Sequence, residues 1–360
     1  MRKIAGFILL MYLFVAVFAC RQQEQPSTVN WTLDGFVKVD SINPILVPDK
    51  EQNFTCPVSD SVVFWEERNV LNPTAFVKDD KVYLVYRAQD RLGTSRLGMA
   101  VSDDGLHFKK MPSPILYPDN DTLLKYEWTG GIEDPRIVET PDNRYLLTYT
   151  SYDGKTARLC YAFSSDLKSW EKMGPVLKSE KYINTWSKSG AIVVEEKNGH
   201  MVAAKVDGRY WMYFGDTDIF LASSEDLVHW EACENGESKK IISVLHPRMG
   251  YHDSRLVEPG PYALKTKDGI LLIYNGSNAA NYNDPSLPKF SYSGGQALFD
   301  STKPYRLINR TESNFIHPDK PYEKVGEVNE VCFLEGLVYF KSKWYLYYGT
   351  ADSKIAVAVK

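Results

Sequence analysis

The segment Ala162-Phe-Ser-Ser-Asp-Leu-Lys-Ser-Trp170 decides the fold of this 360-residue chain, because its pattern occurs three times. In each copy a short β-forming run ends in Ser, an Asp follows two residues later, and an aromatic residue lies four positions beyond the Asp. The other copies are Ala100–Phe108 and Ala222–Trp230. Recurrence at about 60 residues is typical of an architecture in which each copy is one supersecondary unit.

A second recurring feature is a short run rich in Tyr and β-branched residues, often entered from turn residues such as Asp-Asp or Asp-Gly. Such runs are typical of strands bounded by tight turns. There are five of them: Val82–Tyr86, Tyr145–Tyr149, Tyr210–Tyr213, Ile270–Tyr274 and Trp344–Tyr348. They predict an all-β, five-bladed β-propeller whose inner strands line one axial funnel. A β-sandwich or β-helix is the alternative, but sandwich strands recur without this longer period.

Composition and motifs exclude several function classes. The formal net charge is −4 with no basic excess, which argues against nucleic-acid binding. The sequence has no GxSxG elbow, no phosphate-binding loop and no HExxH motif. Its cysteines are far apart with no CxxC, which argues against a zinc site. No metal or organic cofactor is predicted. The 23 Tyr and 8 Trp suit sites that bind flat, half-polar ligands such as sugars.

The N-terminus resembles a bacterial export signal. Residues 1–19 combine two basic residues with an apolar run that ends in Ala19. This run is shorter than the ~20 residues that span a bilayer, although a retained anchor is the alternative. Cys20 lies where a lipoprotein signal has its lipid-modified cysteine. We therefore expect lipid anchoring to a Gram-negative outer membrane, on the periplasmic face because no acidic run follows Cys20.

The remaining chain is divided into a tether and one domain. Residues 21–35 begin with a polar, Gln-rich stretch and are predicted to be flexible. Residues 36–360 contain all the repeats and are predicted to form the propeller.

Carboxylates at predicted inner-strand positions indicate glycosidic chemistry. The sharpest feature is Gly131-Ile-Glu-Asp-Pro-Arg136, where one carboxylate of the Glu-Asp pair is expected to enter the funnel while the other supports the blade. Further carboxylates occur at Asp253, Glu258, Glu330 and Asp352. One acid can protonate the leaving oxygen and another can activate water. A structural turn with a surface ion pair is the alternative for each of these groups.

These residues resemble glycoside hydrolase family 130, a family of five-bladed propellers that act on β-mannosides. The resemblance rests on Gly131–Arg136 together with Asn72-Pro73, Tyr86-Arg87-Ala88, Ser95–Gly98, Trp186–Gly190, Asp253-Ser-Arg255, Gly260-Pro261, Tyr274-Asn-Gly276 and Tyr348–Asp352. Glycoside hydrolase family 43 has similar Asp…Trp turns and is the alternative family.

The resemblance implies roles for particular residues. Asp134 would be the general acid, acting directly or through a substrate hydroxyl, and Glu258 and Glu330 would hold the attacking water. The implied substrate is a β-linked manno-oligosaccharide. The residues expected to bind it are Asn72, Arg87, Arg96, Lys188, Asp253, Arg255, Asn275 and Asp352.

Two departures from the family pattern favour hydrolysis over phosphorolysis. Most members are phosphorylases that bind phosphate through a His in Tyr-His-Gly and an Arg in His-Arg-Pro. Asn275 replaces that His, and Phe214-Gly215-Asp216 lies where the Arg motif would fall. Carboxylates occur instead at Glu258 and Glu330, and a site that has lost two cations and gained carboxylates would repel a phosphate dianion. We therefore expect an inverting, exo-acting β-mannoside hydrolase, with a phosphorylase or a non-catalytic glycan-binding propeller as alternatives.

Overall fold

The computed structural model describes residues 30–360. The predicted signal peptide, Cys20 and most of the tether lie outside the described residues, so export and lipid anchoring stay predictions. Within residues 30–360, no helix has the length and apolar character needed to cross a bilayer. The described part begins to pack before the predicted boundary at residue 36, because the backbone N–H of Leu33 donates to Oε1 of Gln296 over 2.7 Å.

The protein is a five-bladed β-propeller, as the repeats predict, and each blade is an antiparallel sheet. Blade one contains β4 (Asn69–Lys78), β5 (Lys81–Gln89), β6 (Ser95–Ser102) and β7 (Lys109–Lys110). Blade two contains β8 (Gly131–Glu139), β9 (Tyr145–Tyr152), β10 (Ala157–Ser164) and β11 (Glu171–Pro175). Blade three contains β12 (Ala191–Lys197), β13 (His200–Ala203), β14 (Tyr210–Phe214), β15 (Ile219–Ser224), β16 (Trp230–Ala232) and β17 (Ser243–Leu245).

The last two blades complete the ring. Blade four contains β18 (Leu256–Pro259), β19 (Ala263–Thr266), β20 (Gly269–Ser277), β21 (Tyr292–Phe299) and β22 (Leu307–Arg310). Blade five contains β23 (Cys332–Phe340), β24 (Lys343–Thr350) and β25 (Lys354–Val359). Helices α1 (Leu124–Glu127) and α2 (Pro321–Lys324) are single turns between blades.

The five Tyr-rich runs lie in β5, β9, β14, β20 and β24, each of which pairs with the first strand of its blade, as the repeats predict. Some tyrosines explain why this residue type recurs: their rings fill the core between blades while their hydroxyls bond to a neighbouring blade. The hydroxyl of Tyr213 donates to the carbonyl of Pro304 over 2.8 Å, and that of Tyr347 donates to the carbonyl of Gly105 over 2.8 Å. A buried phenol needs such a partner, so these bonds stabilise the blade interfaces.

The repeated Asp closes a turn after β6, β10 and β15, the strand that follows the Tyr-rich strand in blades one to three. Oδ1 of Asp226 accepts the backbone N–H groups of Val228 and His229 over 2.8 Å each. Asp104 and Asp166 do the same in blades one and two. The repeat is therefore an Asx-type turn that leads to the outer strand.

The N-terminal segment completes the fifth blade. Strand β1 (Val37–Lys38) pairs with β25 near the C-terminus, in register Val37 with Val359. A short hairpin then follows, formed by β2 (Phe54–Cys56) and β3 (Ser61–Val63). We call it the entry hairpin. It belongs to no blade.

Three inner strands have a bulge at their fourth residue. The bulges in β4, β8 and β23 lie at Asn72, Asp134-Pro135 and Glu335. Asn72 and Asp134 have positive φ angles of 49° and 47°, which Asn and Asp adopt more readily than most residues. A bulge turns a side chain out of strand alternation, so these polar groups can point into the funnel.

Candidate active site

Asp134 lies at the centre of the candidate site. Its Oδ1 accepts a hydrogen bond from Nδ2 of Asn72 over 2.8 Å and lies 3.2 Å from Nη1 of Arg87. Its Oδ2 lies 3.3 Å from Nζ of Lys188. Burial opposes ionisation, but the charges of Arg87 and Lys188 outweigh it and hold the pKa of Asp134 below its ordinary value. Asp134 is therefore a carboxylate in the free site at neutral pH.

Glu133 also faces Arg87, with Oε1 2.7 Å from Nη2. The expectation that adjacent residues Glu133 and Asp134 point to opposite faces is therefore wrong. The bulge in β8 breaks the alternation, so that one guanidinium contacts both carboxylates. Ser95 fixes the arrangement, because its hydroxyl accepts from Nε of Arg87 over 2.9 Å and donates to Glu133 over 3.3 Å.

Lys188 links Asp134 to the second predicted catalytic residue. Its Nζ lies 3.4 Å from Oε1 of Glu258, an oxygen that also accepts the hydroxyl of Ser189. Burial and the negative charge of Asp216 raise the pKa of Glu258, while Lys188 opposes the rise. Glu258 is therefore a stronger base than an ordinary glutamate.

Asp352 and Asp216 add negative charge to the same region. Burial and the charges of Asp134 and Glu258 raise the pKa of Asp352 to about 6, although Arg87 and Lys188 oppose the rise. Nε1 of Trp186 donates to Oδ2 of Asp216 over 2.6 Å.

Glu330, the other residue expected to hold the water, is bonded to Tyr292 through its backbone. The backbone N–H of Tyr292 donates to the carbonyl of Glu330 over 2.9 Å, and Glu258 contributes to a raised pKa of the Tyr292 phenol, which burial dominates. Within residues 30–360, Oε2 of Glu330 is buried and has no hydrogen-bond partner. A buried carboxylate oxygen of this kind can accept a bond from water.

A buried pair, Arg136 and Glu335, lies next to these groups and was missed by the sequence analysis. Nη2 of Arg136 lies 2.9 Å from Oε1 of Glu335. The same guanidinium donates to the carbonyls of Asp134, Pro259 and Gly260. Arg136 therefore pairs with Glu335 and anchors the backbone on which Asp134 and Glu258 lie. Burial raises the pKa of Glu335 well above its ordinary value.

Four predicted substrate-binding residues have their side chains occupied elsewhere. Asp253 lies 2.8 Å from Nη2 of Arg248 and 2.6 Å from Nη2 of Arg310, and it accepts the hydroxyl of Tyr274 over 2.7 Å. Asn275 is fully buried and exchanges two bonds with the backbone of Leu334. These two side chains join structural elements, and the structure does not bring them to Asp134.

The other two are Arg96 and Arg255. Nη1 of Arg96 lies 2.8 Å from Oδ2 of Asp90, and the guanidinium is 99% buried. Arg255 packs over the ring of Phe290, with Cζ 5.3 Å from the centroid. Their roles as direct sugar contacts stay predictions.

A pocket of about 660 Å³ opens beside the charged centre, by which we mean Asp134, Arg87, Glu133, Lys188 and Glu258. Arg87 and Glu133 line it together with Trp128, Tyr152 and the entry hairpin. Its size is ordinary for a small-molecule site. In the described part of the chain, no group of three or more His, Cys, Asp or Glu side chains is placed to hold a metal ion.

This arrangement suits acid–base chemistry on an uncharged polar ligand. Two cations, Arg87 and Lys188, are each paired with two carboxylates, so neither has a free charge to offer an anion. Three carboxyl groups with different proton affinities lie around one funnel. Asp134 is ionised, Glu258 is a stronger base than an ordinary glutamate, and Asp352 keeps its proton up to about pH 6. Such groups can move protons at a glycosidic bond.

Comparisons with known proteins relate the chain to enzymes that act on mannosides. The model of glycoside hydrolase family 130, described as beta-1,4-mannooligosaccharide phosphorylase, matches residues 33–360. A 1,2-beta-oligomannan phosphorylase from Thermoanaerobacter sp. (strain X514) is 30% identical over 330 residues, which cover 89% of this chain and 95% of the relative.

Two solved structures are more similar. One from Bacteroides thetaiotaomicron VPI-5482 is 44% identical with a TM-score of 0.89, covering 92% of this chain and 97% of its own. Another has the same identity and TM-score, covers 92% of this chain and 94% of its own, and was described in a study of hydrolases within this family of mannoside phosphorylases that target β-1,2-mannosidic linkages in Candida mannan.

Proposed function

This chain belongs to glycoside hydrolase family 130, and we propose that within it the protein is an inverting, exo-acting hydrolase of β-1,2-linked mannosides. The observation that carries the proposal is the excess of carboxylates over cations in the funnel. Glu133, Asp134, Glu258 and Asp352 surround Arg87 and Lys188. A phosphate dianion would meet net repulsion there, whereas water would not.

The linkage follows from similarity to named relatives. The solved structure with 44% identity is tied to hydrolases that target β-1,2-mannosidic linkages, and the oligomannan phosphorylase acts, by its name, on the same linkage. We extend that linkage to this chain. The phosphorylase names of the curated relatives are the observation that favours the second candidate function, phosphorolysis of the same bond.

The proposed reaction uses the two sides of the charged centre. Asp134 protonates the leaving oxygen directly or through a substrate hydroxyl. Because it is ionised in the free site, it must gain a proton before it can act as the acid. Glu258, assisted by Glu330, holds a water and accepts its proton as the water attacks the anomeric carbon. Inversion follows because the water and the leaving group lie on opposite faces.

Product analysis tests hydrolysis against phosphorolysis. We expect β-1,2-mannobiose to release mannose in phosphate-free buffer, as the α-anomer first. Added phosphate should neither accelerate the reaction nor yield mannose 1-phosphate. NMR of the first turnovers measures both the anomer and the product. Mannose 1-phosphate as the main product would overturn the hydrolase proposal while leaving the family and the site intact.

The pH profile tests the proposed base. Glu258 must be ionised to accept a proton, so activity should fall as the pH drops through its raised pKa. Asp216→Asn removes a negative charge that raises this pKa, so the acidic limb of kcat should move to lower pH while the plateau changes little. The control is Asp218→Asn, a neighbour in the same turn. An acidic limb that does not move in Asp216→Asn would argue against Glu258 as the base.

A further inference from the structure

We propose that Glu335 holds a proton in the resting site and donates a hydrogen bond to Oδ1 of Asn72, which keeps the amide nitrogen of Asn72 directed at Asp134. Glu335 is then a positioning residue that acts on the acid through Asn72. The proposal rests on the proposed function only in taking Asp134 as the acid.

Glu335 and Asn72 are neighbours because the blades form a ring. Glu335 lies at the bulge of β23 in blade five and Asn72 at the bulge of β4 in blade one, and these two strands are in contact. A Cβ added to Gly336 would lie 2.9 Å from the carbonyl oxygen of Pro73, and these are the residues that directly follow the two polar side chains. The two bulges therefore pack against each other.

The amide of Asn72 faces a different blade at each end. Its Nδ2 donates to Oδ1 of Asp134 in blade two over 2.8 Å. Its Oδ1 faces blade five, since a Cβ added to Gly349 on β24 would lie 2.5 Å from this oxygen. The amide oxygen is therefore directed at the blade that carries Glu335.

The polar atoms at this contact need a donor. Within residues 30–360, Oδ1 of Asn72 and both side-chain oxygens of Glu335 are buried and have no hydrogen-bond partner. Oε1 of Glu335 is the oxygen that lies 2.9 Å from Nη2 of Arg136. A carboxylate facing an amide oxygen would set acceptor against acceptor, and buried acceptors without donors are rare. A proton on Oε2 of Glu335 supplies the missing donor for Asn72.

The charge balance of the site also favours a proton on Glu335. The two cations of the charged centre are already shared among its three carboxylates. Burial raises the pKa of Glu335 well above its ordinary value, and the charges of Asp134 and Glu258 add to the rise, while Arg136 and Lys188 oppose it. A neutral Glu335 avoids adding another buried negative charge.

The orientation of Asn72 matters for the acid. Although burial raises the pKa of Asp134, the charges of Arg87 and Lys188 and the bond from Asn72 together hold it below its ordinary value. In the reverse orientation the amide oxygen would face the carboxylate and repel it. The proton on Glu335 stabilises the orientation in which Nδ2 fixes Asp134.

Two substitutions separate a proton from a negative charge at this position. Glu335→Gln keeps an acceptor for Arg136 and a donor for Asn72, so it imitates the protonated acid. Glu335→Met is unbranched and has no donor. Leu337→Met is the matched control, because Leu337 is a buried residue on the same strand and the change conserves volume.

We expect Glu335→Gln to keep kcat on β-1,2-mannobiose within about threefold of the wild type, and Glu335→Met to lower it at least about tenfold, with Leu337→Met normal. In an Asn72→Ala background, Glu335→Met should have little further effect, because Glu335 acts through Asn72. Equal losses in Glu335→Gln and Glu335→Met, normal turnover in both, or full additivity with Asn72→Ala would each overturn the proposal.

An infrared difference spectrum measures the proton without any reaction. At about pH 8, well above the pKa of about 6 of Asp352, the wild type should show the carbonyl band of a protonated carboxyl group that Glu335→Gln lacks. A difference spectrum without this band would overturn the proposal even if Glu335→Met fails to fold. Failure of the proposed function is distinguishable, because the band does not depend on whether water or phosphate attacks, and a requirement for phosphate shows in the wild-type protein.

Discussion

Asp134→Asn is expected to lower turnover of unactivated β-1,2-mannosides at least ~100-fold, since an amide cannot donate the proton that the leaving sugar requires. The variant should fold normally. Asn tolerates the left-handed backbone of this position, where φ is 47°. Nδ2 of Asn72 can still donate to the amide oxygen of the variant. Steady-state kinetics on β-1,2-mannobiose measure the loss, and calorimetric titration of the variant shows whether the substrate still binds.

Asp142→Asn is the matched control for this variant. Asp142 lies in the exposed turn between β8 and β9 of the same blade, where it contacts Arg144. Its replacement should leave kinetics unchanged. Near-normal turnover in a folded Asp134→Asn variant would remove this residue from the mechanism.

Glu258→Gln should be nearly as damaging, with a loss of at least ~100-fold in kcat, because an amide cannot accept the proton of the attacking water. The amide oxygen keeps the bond from Ser189, so the shape of the site is preserved. Sodium azide supplies a diagnostic readout: a small anionic nucleophile that needs no base should restore turnover and give α-mannosyl azide.

Glu196→Gln, an exposed position on β12, is the control for Glu258→Gln and should retain normal turnover. Glu330→Gln should also slow hydrolysis. If both carboxylates bind the same water, the double variant should lose less transition-state stabilisation than the sum of the losses in the two single variants. Full additivity would mean that Glu330 acts elsewhere, and normal turnover in Glu258→Gln would assign the base to another group.

Much of the fold was predictable because its signals are local. A Tyr-rich strand and an Asp-closed turn each fit within nine residues; the strand recurs five times, which counts the blades, and the turn recurs three times. The pairing of β1 with β25 was not predictable, since two residues carry no pattern. The entry hairpin was missed for the same reason: its strands have three residues each.

The residue types of the candidate site were predictable from the sequence. Which of the predicted side chains meet at Asp134 was less predictable. Asn72, Asp134 and Lys188 meet as the family resemblance implies. Asp253 and Asn275 do not join them. A sequence cannot tell a carboxylate or amide that faces substrate from one that neutralises buried arginines or pairs with a neighbouring strand, because both kinds are polar groups on inner strands.

Glu335 was missed although a signal was present. Each blade has one polar residue followed by Pro or Gly, either within the first four residues of its inner strand or just before that strand: Asn72-Pro73, Asp134-Pro135, Ser189-Gly190, Glu258-Pro259 and Glu335-Gly336. Three of these lie at the bulges, and all five surround the funnel. Aligning the blades on this dipeptide would have selected Glu335 and Ser189 directly.

The closure of blade five by β1 has a consequence for how the molecule is made. Val37 and Val359 are neighbours in one sheet although almost the whole chain separates them. Bringing such distant segments together carries a large entropic cost of loop closure, which slows folding. The other four blades can each form from contiguous sequence, whereas the last cannot be sealed until the final strand is available. Assembly of the ring should therefore end where its two termini meet, and the unsealed intermediate exposes a free strand edge, the kind of edge that promotes aggregation.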